Sequence, residues 1–144
     1  MHSLRIFSII AWIAIPTVMY GGYALLDLLT RAELSEFQQT YFRAGHAHAG
    51  VLLLMALLYH QYMEQTTFST SAKVGAAAVL LIGILAQSGG FFLHMLMGRP
   101  GEPSLGTLVT SSGAVLLGAA VLFLVYGLLI TKSQPYNQTD RNAL

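Results

Sequence analysis

Residues 105–130 read LGTLVTSSGAVLLGAAVLFLVYGLLI. No charge interrupts them, and the run is longer than the roughly 20 apolar residues that a membrane-crossing helix needs. This stretch decides the fold. Working outward, three more runs reach that length: 7–29, 44–62 and 74–97. The first contains Pro16 and the pair Gly21-Gly22. The expected architecture is all-α, an integral membrane four-helix transmembrane bundle, with residues 1–132 forming a single four-span domain.

Composition agrees. The 144 residues are 55% hydrophobic and 9% charged, against about 25% charged in an ordinary soluble domain. So few charges do not cover a water-facing surface. The net charge of +1 provides no field for nucleic acid, and no phosphate-binding glycine motif marks a nucleotide site. With no cysteine, thiolate metal ligands, iron–sulfur clusters, disulfides and cysteine nucleophiles are excluded.

Between the first two spans lies TRAELSEFQQTYFR, residues 30–43. Leu34, Phe37 and Tyr41 recur at helical spacing opposite Glu33, Glu36 and Gln38, which predicts a short amphipathic helix at the interface. The segment 133–144, SQPYNQTDRNAL, reads as a disordered polar tail. Arg5 precedes an apolar run, but that run continues to Leu29 without a small-residue cleavage pattern, so a retained span is expected. Four spans put both termini on one side, with Arg5, Lys73, Lys132 and Arg141; Arg31, Arg43 and Arg99 face the other. This bias predicts cytoplasmic termini in a bacterial-type inner membrane.

Ionisable groups inside a membrane are costly and mark candidate sites. Placing each by depth gathers them in the half away from the termini. Tyr20, Tyr23 and Asp27 close helix 1, and Arg43, His46 and His48 open helix 2. Gln87, Ser88, His94 and Arg99 end helix 3, and Thr107, Thr110, Ser111 and Ser112 open helix 4. Gln87, Gly90 and His94 share one face by their spacing, suited to a flat cofactor or to a close helix contact. His46 and His48, two apart, point about 200° from one another. Small residues around them, Gly50 included, leave space for a bulky planar ligand. At the other end, Tyr59, His60 and Tyr62 read as an interfacial aromatic belt. Ala114 and Gly118 form a small-xxx-small pair for a close helix contact.

Haem fits this set. His48 or His46 and His94 supply axial imidazoles, Gly50 and Gly90 supply room, and Arg43 and Arg99 supply propionate partners. Tyr23, Asp27 and Gln87 are the candidate catalytic groups. Copper or zinc on His48 and His94, in a transport, chaperone or proton-linked module that also uses His46 and Asp27, is the competing reading. A structural subunit is the third.

The stretches FRAGHAHAGVLLLM (42–55) and QSGGFFLHM (87–95) resemble helices 2 and 3 of the styrene oxide isomerase family, small four-span membrane proteins. The resemblance implies a homotrimer holding haem b between subunits. The histidine of Ala47-His48-Ala49-Gly50 would be the axial ligand, and ferric iron would act as a Lewis acid on an epoxide. Two features differ from the family pattern. Leu54 stands in place of a polar asparagine, and Gln87-Ser88-Gly89 replaces a Trp-Ser-Asn segment. These changes remove substrate-positioning groups. The expected chemistry is therefore the wider one of a haem protein: redox, sensing or Lewis-acid.

Overall fold

The computed structural model describes residues 4–131. The predicted tail at 133–144, with Lys132 and Arg141, lies outside the described residues. Four helices follow in order: α1 (Arg5–Thr30), α2 (Glu36–Glu64), α3 (Thr70–Met97) and α4 (Leu105–Ile130). Each is long and apolar enough to cross a membrane. Among the described residues there is no strand.

Side-chain caps set where three of them begin. Ser35 accepts from the Gln38 N–H at 3.3 Å, and the Gln38 carboxamide accepts from the Ser35 N–H at 3.0 Å. Ser69 caps α3 through the Ala72 N–H. Ser104 caps α4 reciprocally with Thr107. Each cap satisfies N–H groups that a helix start leaves open.

The Ser35 cap corrects one expectation. Residues 36–43 form no separate interfacial helix; they are the first two turns of α2. Nothing between Glu36 and Glu64 stops a helix. Its 29 residues span about 43 Å at 1.5 Å per residue, well beyond the ~30 Å hydrocarbon layer. The amphipathic turns are the part that projects past it.

The helices do not close into a symmetric bundle. The α3–α4 contact is the most extensive, α2 packs on α3, and α1 leans chiefly on α2. The core, including Met63, Leu80, Ile84, Leu117 and Ala120, lies toward the end carrying the termini. At the other end α3 and α4 meet almost backbone to backbone. A methyl on Gly90 would press on Thr110 and on the Gly106 carbonyl, and one on Gly113 on the Gln87 backbone. Small residues at such a seam allow the approach. Ala114 and Gly118, expected at a close helix contact within or between protomers, make none within the chain: both are exposed, and a methyl added at Gly118 would have no neighbour within 4 Å. The outward face of α4 carries them, while Gly113, Leu117 and Ala120 turn inward.

The predicted aromatic belt near the termini is also revised. Only Tyr62 is exposed. Tyr59 is buried and donates its hydroxyl to the Ala120 carbonyl at 3.1 Å. His60 is 4% exposed, with Nδ1 3.2 Å from the Ser8 hydroxyl. Packing of α4 against Tyr59 and of α1 against His60 takes them out of the interface.

Candidate functional site

The three histidines of the half away from the termini occupy three different environments. His46 turns toward α1. A methyl at Gly22 would stand 3.1 Å from its Nε2, and one at Gly21 3.6 Å from its Nδ1. The Gly21-Gly22 pair is thus the notch that receives this ring, and both ring nitrogens abut the α1 backbone. Gly50, one turn on, lies on the same side. With Ile15, Val18 and Leu54 the two residues line an apolar groove of about 360 Å³.

His94 is 3% exposed and its Nδ1 lies 2.7 Å from the Ser104 hydroxyl. Ser104 is the α4 cap, so His94 ties the end of α3 to the start of α4. Tyr41 and Phe37, from the first turns of α2, pack edge-on against its ring at 4.3 and 5.3 Å. The early part of α2 therefore closes over His94.

His48 is half-buried. Its ring lies 4.8 Å from that of Phe91, and its Nδ1 is 2.8 Å from the Ala44 carbonyl. A carbonyl only accepts, so Nδ1 carries the proton in that bond. Nε2 of the neutral ring is then left with its lone pair. Metal-bound histidines are commonly oriented through the opposite ring nitrogen in this way.

His48 and His94 are linked through Phe91 and Tyr41, whose rings are 6.4 Å apart, and among the described residues they share no ring contact. Nor do any three His, Cys, Asp or Glu side chains converge as a metal cluster among those residues. The expected face of Gln87, Gly90 and His94 is taken up by α4: Thr110 donates to the Gln87 carbonyl at 3.3 Å, and Gly90 is covered by Thr110 and Gly106. Gly90 therefore leaves no room for a porphyrin. Arg43 and Arg99 are exposed and make no ion pair among the described residues. Tyr23 is exposed beside Tyr20. Asp27 pairs with Arg31 at 3.1 Å. Among the described residues neither makes a hydrogen bond, ion pair or ring contact with the histidines.

Ser88 gains weight from the structure. It is 6% exposed, and its hydroxyl has no hydrogen-bond partner among the described residues. It lies three residues before Phe91, hence one turn from it on the same side of α3. A lone serine in an apolar run is visible in sequence; that its hydroxyl is enclosed and unmatched depends on packing.

No protein family, curated protein or solved structure matches the chain.

Proposed function

We propose that this chain is a membrane-embedded haem b protein whose axial ligand is His48. The observation that carries the reading is the His48 geometry. Its Nδ1 proton is held by Ala44 at 2.8 Å, and its ring is neither sealed like His94 nor wedged against a neighbouring backbone like His46. This agrees with the ligand position implied by the likeness of residues 42–55 to the styrene oxide isomerases.

The remaining donor set fits the group in part. Arg43 lies five residues before His48, and Arg99 follows the end of α3. Both are free to pair with propionates near the membrane boundary. Phe91 offers an apolar edge beside the imidazole, and the enclosed Ser88 hydroxyl lies one turn away. Gly90 is committed to α4, and Gly50 belongs to the His46 groove, so neither flanks His48. The second wall then comes from another copy, as the implied homotrimer requires. When bound, the haem would supply either an electron-transfer centre or an open coordination position for gas binding or Lewis-acid chemistry. The chain's own contribution is to hold the imidazole, fix its tautomer, neutralise propionates and exclude water. Multi-pass residence in a bacterial inner membrane, with cytoplasmic termini, belongs to the same proposal.

The test is a haem titration of the purified protein in detergent, followed by absorbance in the oxidised and reduced states. A Soret band is expected in wild type and in His46→Ala, and its loss in His48→Ala. Copper or zinc at stoichiometric level without porphyrin absorbance favours the transport or chaperone reading. Failure of wild type to take up haem ends the haem reading.

A further inference from the structure

The end of the bundle far from His48 holds a second polar cluster. His60 follows His48 by twelve residues on α2, about 18 Å along the helix. A cavity of about 460 Å³ opens beside it, lined by Arg5, Ser8, His60, Gln61, Glu64 and Gln65. Small-molecule sites commonly occupy about 300–1,000 Å³.

Three helices build and stiffen this cavity. Ser8 of α1 and His60 of α2 are 3.2 Å apart. The Glu64 carboxylate accepts from the Leu4 N–H at 2.8 Å. Its other oxygen stands 4.0 Å from the Lys73 ammonium, which also donates to the Glu64 carbonyl at 2.9 Å. The carboxylate is thus already compensated from two sides. Arg5 makes no ion pair among the described residues. Lys73 stands outside the lining and offsets Glu64 from behind, which leaves the Arg5 charge facing the cavity. The Gln61 carboxamide adds neutral donors at the rim, and Gln65, which spends one Nε2–H on the Gln61 carbonyl at 3.4 Å, adds its other.

We infer that this cavity binds a phosphate group, with Arg5 as its ion-pair partner and Gln61 and Gln65 as hydrogen-bond donors. One uncompensated guanidinium with adjacent amide donors suits a phosphate oxyanion. The location suits it as well. The cavity lies at the ends of membrane-spanning helices, with exposed Trp12 one turn beyond Ser8 and exposed Tyr62 beside it, the residues that populate membrane interfaces. Basic pockets between membrane helices take anionic headgroups. A phospholipid headgroup and a soluble phosphate present the same group to Arg5.

Delipidated full-length protein in nonionic detergent is titrated by calorimetry with dihexanoylphosphatidylglycerol, dihexanoylglycerol and inorganic phosphate. The phosphatidylglycerol is expected to bind and the phosphate-free diacylglycerol not to. Arg5→Gln is expected to weaken binding about tenfold or more, and Gln61→Glu to weaken it through charge repulsion. Both positions are exposed, and unchanged helical dichroism verifies that the variants fold. Phosphatidylglycerol binding alone identifies a lipid headgroup. Binding of inorganic phosphate with the same dependence on Arg5 identifies a soluble source. The inference is overturned if no phosphate-bearing probe binds, if the diacylglycerol binds equally, or if Arg5→Gln binds as wild type does. No haem is needed in this experiment, so its failure leaves the His48 proposal standing.

Discussion

Two neighbouring glycines of α3 make a controlled test of how the half away from the termini is built. A methyl added at Gly90 would stand 2.5 Å from the Thr110 backbone nitrogen and 2.7 Å from the Gly106 carbonyl oxygen. Both are backbone atoms of α4, so no side-chain rotation relieves the contact. Reaching ordinary contact requires the helices to part by roughly 1 Å. Overpacking of this kind costs about 1–3 kcal/mol. Parting the seam also loosens the Thr110–Gln87 hydrogen bond, where such interhelical bonds average about 0.6 kcal/mol in membranes. Gly89 has nothing within 4 Å of the same added methyl. Both substitutions gain the same ~0.5–1 kcal/mol from replacing a helical glycine. The helix term cancels in the comparison, leaving Gly90→Ala less stable than Gly89→Ala by about 2–4 kcal/mol. Unfolding in mixed dodecylmaltoside–dodecylsulfate micelles, followed by circular dichroism, reads the difference. Equal stability of the two variants would refute the close α3–α4 seam, and with it the conclusion that Gly90 is closed to a cofactor.

Other substitutions probe the surroundings in the same assay. Ser104→Ala removes the α4 cap and the His94 contact, and should destabilise by about 1–2 kcal/mol. Ser88→Ala, measured without haem, should be neutral or stabilising by up to about 1 kcal/mol, because the buried hydroxyl it deletes has no partner; a loss of stability would reveal an interaction there. Ala32 makes the α1–α2 turn at φ 54°, so Ala32→Gly should stabilise by about 1 kcal/mol through relief of the left-handed conformation. Gly45→Ala places a methyl 2.9 Å from the Phe92 ring; a side chain yields more easily than a backbone, so its loss should stay near about 1 kcal/mol and below that of Gly90→Ala.

The sequence by itself determined that there are four apolar helices and where they run. Uninterrupted hydrophobic length is a local property, and α4 has the bounds read from it, 105–130. Opposite orientation of His46 and His48 was equally legible, because helical geometry alone sets it. The merged start of α2 was less so: a capping box and an amphipathic face look alike whether or not the helix continues into the membrane.

Depth was legible too, but depth is one coordinate and a site needs three. His46, His48 and His94 lie near the same end of the bundle, yet each faces a different neighbour. Whether an imidazole is wedged against glycines, tied to a cap or left with an open nitrogen depends on which helix lies across from it. The same holds for Gly90, whose empty face in the sequence is filled by α4. At the opposite end, the i, i+4 spacing of His60 and Glu64 was visible in the chain. Their partners Leu4, Ser8 and Lys73 come from 9 to 60 residues away, and only the packing of α1 and α3 on α2 brings them into one polar pocket. Local hydrophobicity decides which segments enter the membrane; contacts between segments distant in sequence decide which polar groups satisfy one another and which stay available.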